Sequence, residues 1–172
     1  MKATQNGQLK HLEDCYVIIN GNKIHFDNLP DIGDSKSATY NDANGIGRSM
    51  PMKTYSFSNN RVISLTIHFI ATNQSELIDN LYSLRFIESA VYPREGGDPF
   101  IPPPVCQLKC GNLIADEEIC CVLESYSVKF PTDVPWDEKT YIPWKFDVDT
   151  SWQVVYRNED LPGSERIWKS GK

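Results

Sequence analysis

The sequence holds no apolar run long enough to cross a membrane. Its longest uninterrupted stretches, such as YVII at residues 16–19, fall far short of the ~18 apolar residues that a spanning helix needs. The opening MKATQNGQLKHLEDC has no apolar signal core either, so the expectation is a soluble chain made in the cytoplasm, with no membrane partner. Basic residues are also in short supply. The 17 Lys and Arg against 23 Asp and Glu leave a formal net charge of -6, which disfavours a broad phosphate-binding surface and sequence-specific DNA recognition. Histidine is scarce, with only His11, His25 and His68, and the chain has no G-x-S-x-G, H-E-x-x-H, G-x-x-x-x-G-K-[ST] or G-x-G-x-x-G motif. No enzymatic activity and no cofactor are expected.

Cysteine is present in odd number, five, which reads as reduced thiols. Cys106 and Cys110 lie four apart on an expected strand and share a face, whereas the adjacent Cys120 and Cys121 point to opposite faces. Structural zinc is usually held by tight Cys pairs on turns, so buried thiols packed in strands are expected and no metal. The acidic groups Asp116, Glu117 and Glu118, and Asp133, Asp137 and Glu138, lack the spacing of a calcium-binding loop and read as solvated loops. His68 falls on the polar face of a strand, where a general base is conceivable but a surface or interface histidine is the simpler reading.

Of the 172 residues 40% are apolar and 23% charged, a globular balance rather than a disordered one. A chain of this size buries roughly 70 % of its extended surface in a single core. Residues 1–14 are polar and read as a flexible arm, residues 15–160 as one domain, and residues 161–172 as a loosely attached tail with Trp168 available to a neighbour.

Within the domain, CYVIINGNKIHF predicts a hairpin turning at Asn20-Gly21, with Ile24 and Phe26 on one face. Residues 28–58 are rich in Gly, Asp, Ser, Asn and Pro and show little periodicity. So long a segment in a compact domain reads as an extended, partner-contacting arm. RVISLTIHFIA alternates cleanly: Ile63, Leu65, Ile67, Phe69 and Ala71 share one face and Ser64, Thr66 and His68 the other. A helix follows over about residues 74–89, with Asn73 as N-cap, Glu76 reaching back to the cap amide, and Leu77, Leu81, Leu84 and Ile87 or Val91 as the core stripe. Pro93 ends it. Further strands are expected in VCQLKC, EICCVLESYSVKF and WKFDVDTSWQVVYR, the last burying Phe146, Val148, Trp152, Val154 and Tyr156. The expectation is a mainly β, antiparallel domain with one flanking helix.

Four of these stretches, LPDIGDSKSATYNDANGIGRSMPMKTYSFSNNRVISLTIHFIA, the helix ending in AVYP, PPPVCQLKCGNLI and CVLESYSVKF, together resemble the tail-tube-like proteins of contractile-tailed bacteriophages. The resemblance is closest to the baseplate tube-initiation proteins, kin to the tube adaptors of contractile injection systems. It implies an antiparallel β-barrel or sandwich that assembles into a hexameric ring of the tail tube or tube-initiation region. Such a ring links the baseplate hub to the tube, and genomic DNA passes through its bore without specific binding.

The location implied is the virion tail or baseplate, with the host cytoplasm during assembly. On this resemblance Lys36, Ser37 and Tyr40 of DSKSATY belong to the contacting arm. Arg48 and Pro51 match a GR-x-x-P element, Arg61 opens the long strand, and His68, Phe69 and Ala71 match an HF-x-A signature. Pro93, Pro103, Pro104, Gly111 and Asn112 match structural positions around the helix and the next hairpin. The chain is more compact than the longer tube-initiation proteins and has no peptidoglycan-binding module, so a repeating tube subunit or hub component of the same fold remains open. A reading of another class is a small β-rich carbohydrate-binding module using Trp136 and Trp144 beside Pro135 and Pro143.

Overall fold

The computed structural model describes residues 3–5, 8–10, 14–47, 49–93, 101–115 and 117–156, the first two stretches by their backbone only. The expected tail at residues 161–172 and Arg48 lie outside these. Within the stretch expected as a flexible arm, β1 (Ala3–Gln5) and β2 (Gln8–Lys10) pair antiparallel. The body is one seven-stranded antiparallel sheet built from β3 (Cys15–Ile19), β4 (Asn22–His25), β5 (Asp31–Ser35), β8 (Val62–Ile70), β9 (Cys106–Cys110), β10 (Ile119–Lys129) and β11 (Lys145–Val154). The remaining strands, β6 (Ala38–Ala43) and β7 (Met52–Ser58), form a separate hairpin, and α1 spans Gln74–Ser89. The protein is therefore mainly β with one flanking helix.

Local chemistry explains the elements. Asn20 and Gly21 both take positive φ, 50 and 81, which is the tight turn that closes β3 onto β4 without splaying the strands. Alternation in β8 is realised in full: Ile63, Leu65, Ile67 and Phe69 are buried while Ser64, Thr66 and His68 are on the other face. The same holds in β11, where Phe146, Val148, Trp152 and Val154 are buried, with Thr150 donating to the Leu65 carbonyl at 3.1 Å and accepting from the Trp152 indole at 2.8 Å. Burying each of these large side chains contributes about 1.5–3 kcal/mol.

At the helix N-terminus Asn73 accepts from the Glu76 N–H at 2.8 Å. The Glu76 carboxylate, expected to reach the Asn73 amide, instead takes the N–H and hydroxyl of Thr72, at 2.8 and 2.7 Å, one residue further back. Leu77, Leu84, Ile87 and Ala90 are buried, and Leu81 and Val91 pack against the core partly buried.

The strand order is β4-β3-β9-β10-β11-β8-β5. In a flat sheet β4 and β8 would stand about 24 Å apart, about the length of the 16-residue helix. α1 starts just after β8, forms a groove with β4, and shares one core cluster with residues of both strands through Leu84 and Ile87. The helix therefore reaches across the sheet between β8 and β4. The sheet stays open, since β4 and β5 end the strand order and do not pair with each other among the described residues.

The expected structureless arm is corrected in part. β5 pairs with β8 along its whole length, from Asp31↔Thr66 to Ser35↔Val62, and β6 pairs with β7 as an antiparallel ribbon. The cause is backbone pairing, which needs no apolar periodicity when a neighbouring strand edge is available.

Candidate functional site: polar sheet face and projecting hairpin

Register turns the alternation of single strands into a two-dimensional surface. On the face away from the core, Asp31, Thr66, Asp149 and Ser127 line up across β5, β8, β11 and β10, and Gly33, Ser64, Ser151 and Ser125 form the next row. These rows are hydroxyl and carboxylate with no large apolar group. Thr66 donates to Asp149 at 2.7 Å, and the Lys129 ammonium stands 3.9 Å from the same carboxylate. A shallow groove of about 470 Å³ runs between the Ser64–Thr66 and Ser125–Ser127 segments over Asp149 and Ser151.

His68 closes the acidic end of this face. Its Nδ1 lies 2.6 Å from Asp147 and its Nε2 3.4 Å from Asp31. Among the described residues both ring nitrogens thus face carboxylates, polar contacts that tie β5 to β11 across β8. Arg61, just before β8, forks onto Asp34 through Nε at 2.8 Å and through Nη2, which also donates to the Ile114 carbonyl at 2.9 Å. The guanidinium hydrogen bonds hold the Asp34 carboxyl below the usual carboxylate range and push Arg61 up.

The second feature is the β6–β7 ribbon. Tyr40 and Tyr55 are paired cross-strand with rings 5.8 Å apart on one face, and a bulge beside Tyr40 sends Phe57 to the other face with Met52. All four are exposed, between 50% and 59%, so apolar groups face solvent on both sides of the ribbon. Its base is pinned by Asn59, whose N–H donates to the Ser37 carbonyl at 2.9 Å and whose side chain donates to the Ser37 hydroxyl at 2.8 Å. Lys36 precedes the ribbon and Pro51 lies in the connection between its two strands; both are exposed.

The remaining positions singled out by sequence do not join this surface. Phe69 stacks in the core on Phe146 at 5.1 Å, and buried Ala71 donates its N–H to the Trp144 carbonyl at 2.9 Å. Pro93 is exposed just past the helix, and Pro104 is buried beside half-buried Pro103, its carbonyl 3.6 Å from the Cys106 thiol. Gly111 has φ 52 and binds the Asp14 carbonyl at 2.8 Å, with exposed Asn112 following in the turn. Ile63, Leu65, Ile67, Leu77, Leu84 and Trp152 are core residues. Trp136 and Trp144 bracket a hairpin loop in which Asp137 accepts from the Thr140 N–H and hydroxyl at 2.9 and 2.6 Å. Neither tryptophan makes a ring–ring contact among the described residues.

Four thiols are buried in the core: Cys15 lies directly opposite Cys110, and Cys106 opposite Cys121. Burial pushes Cys106 up to about 11 and Cys110 to about 12. Among the described residues, no group of three or more His, Cys, Asp or Glu is placed to hold a metal, and no helix is long and apolar enough to cross a membrane.

Sequence reading missed the ribbon as an element and the continuity of the polar rows. The first had only a turn signal, NGIG between the short segments ATYNDA and MKTYSFS. The second had none, because row neighbours such as Thr66 and Asp149 are far apart in the chain. No protein-family model matches the chain, and no curated protein matches it.

Proposed function

We propose that the protein is a structural, non-catalytic virion component that forms a six-fold ring in the tail tube or tube-initiation region of a contractile-tailed phage, between baseplate hub and tube. The observation that carries this reading is the β6–β7 ribbon, paired strand to strand and pinned at its base yet exposed with aromatics on both faces. A two-stranded ribbon is marginal by itself. One with Tyr40 and Tyr55 on one side and Phe57 and Met52 on the other needs cover on both sides, which two flanking subunits of a ring provide. Closed cyclic assembly joins two different patches of each subunit, and the ribbon supplies one while the body of the next copy supplies the other.

The polar rows support the same reading. A channel wall must be wetted and must not hold DNA; serine, threonine and aspartate carried on Ser64, Thr66, Asp147, Asp149 and Ser151 meet both needs, because fixed negative charge disfavours phosphate adhesion. The resemblance of DSKSATY, HF-x-A and the Pro-rich stretch to tail-tube-like proteins is what implies the six-fold symmetry and the neighbours. Negative-stain imaging of the concentrated protein, alone and mixed with the baseplate hub, tests it. Rings or stacked tubes are expected. Single particles without rings in both samples would overturn the reading.

A further inference from the structure

The four buried thiols stand as two facing pairs on the core side of the sheet, Cys15 with Cys110 across β3 and β9, and Cys106 with Cys121 across β9 and β10. We propose that Cys15 and Cys110 form a reversible oxidation site, a dithiol that a small-molecule disulfide converts into a covalent staple between β3 and β9. The site lies within a single copy and does not depend on the ring.

Backbone hydrogen bonds set the geometry of the first pair. The Gly111 N–H donates to the Asp14 carbonyl at 2.8 Å, and the Phe26 N–H to the Cys15 carbonyl at 3.0 Å. The backbone groups of Cys15 therefore point toward β4, while those of Gly111 point toward β3, so Cys15↔Cys110 is a non-hydrogen-bonded pair. In such a pair the α-carbons stand about 4.5 Å apart with the side chains drawn together, inside the ~4.4–6.8 Å span that disulfides take. The two thiols accordingly interact as hydrogen-bond partners.

The second pair differs on both counts. The Val155 N–H donates to the Cys120 carbonyl at 3.0 Å, which turns the backbone of Cys120 toward β11 and that of Cys121 toward β9. Cys106↔Cys121 is thus a hydrogen-bonded pair with wider-set side chains, and the Cys106 thiol donates instead to the Pro104 carbonyl at 3.6 Å. The register thereby selects one pair of the two for bonding.

Oxidation proceeds by two exchanges. Cys15, the first residue of β3 and 5% exposed where Cys110 is fully buried, is the sulfur that meets the oxidant. Its thiolate attacks one sulfur of the small disulfide, expelling a thiolate and leaving a mixed disulfide; the Cys110 thiolate then attacks the Cys15 sulfur and expels the second. Two protein thiols are oxidised, one disulfide is reduced to two thiols, and the two protons leave with them. Burial pushes both protein thiols up, so exchange is slow and waits on opening of the strand end, as suits a structural lock rather than a catalytic dithiol. β3 and β4 join the rest of the sheet through β9, and the staple fixes that hairpin to the body.

The test uses the full chain carrying Cys120→Ser, which removes the exposed thiol. The reduced protein is refolded in a mixture of reduced and oxidised glutathione, in which wrong pairs reshuffle, then alkylated and mapped by peptide mass spectrometry beside a sample held in denaturant. Expected is a cross-link between Cys15 and Cys110 about tenfold or more enriched in the folded chain over the denatured one. By linkage the same factor places the melting temperature of the oxidised chain about 3–6 °C above that of the reduced chain. With Cys110→Ala added, both effects should vanish; the mapping of the Cys120→Ser chain decides the matter even where that second variant fails to fold. A cross-link no more abundant than in denaturant, a cross-link between Cys106 and Cys121 in its place, or a melting temperature lowered by oxidation would overturn the proposal.

Discussion

At the scale of single residues, charge and burial make separable predictions. Asp34 is depressed by its hydrogen bonds from Arg61, so its contribution is present above the unfolded-chain carboxylate pKa of about 3.9 and is lost as pH falls through the lower folded value. The pair is partly exposed, which discounts it to about 0.5–1 kcal/mol. Thermal melts should find Asp34→Asn less stable than the parent at about pH 7, with the gap closing as the buffer is taken below about pH 4. A gap of constant size would assign Asp34 a packing role instead. The thiols behave differently. Cys15, Cys106, Cys110 and Cys121 are buried and pushed up, chiefly by desolvation, while Cys120 is exposed on the outer face of β10. A chromogenic disulfide reagent should label Cys120 quickly in the folded protein and the other thiols only after denaturant is added. Rapid labelling of a second thiol in the native state would contradict the packing of β3, β9 and β10.

Elements show how local signals were converted into structure. The helix runs Gln74–Ser89, as Asn73, the leucine spacing and Pro93 specify, because a cap, a stripe and a proline all act within a turn or two. Replacing Asn73 by Ala should cost about 1 kcal/mol of global stability, read from denaturant midpoints at unchanged slope. An unaltered midpoint would mean that the Thr72–Glu76 contacts already close the helix end. The ribbon was the harder element. Its strands mix Tyr, Thr, Asn, Asp and Lys on two exposed faces, so no apolar period announces them, and the bulge beside Tyr40 breaks the little alternation there is. β5 escaped for a related reason: DIGDS has one apolar side chain, and it is a strand because β8 offers it a backbone edge.

For the whole molecule the question is whether folding and assembly can be separated. Tyr40→Ser combined with Phe57→Ser alters only exposed positions, so the melting temperature of the isolated chain should shift by no more than about 0.5 kcal/mol would allow. The same variant should lose rings and stacked tubes in electron micrographs. Rings that persist would exclude the ribbon as the subunit contact; a large loss of stability would mean that the ribbon packs on its own sheet. The core itself, with Trp152, Phe26 and Phe146 fully buried and residues from both ends of the strand order in one cluster, is continuous enough to stand without the ribbon.

The sequence alone determined which side chains of β8 and β11 face inward and where α1 begins and ends. Both are properties of a few consecutive residues, set by the two-residue pleat and the 3.6-residue turn. Only the tertiary structure decided that β8 lies between β5 and β11, that Asp31, Asp147 and His68 meet on one face, and that β4 is left as an edge beside α1. Strand order and register depend on which distant edges find each other as the sheet assembles, and no window of neighbouring residues records that choice.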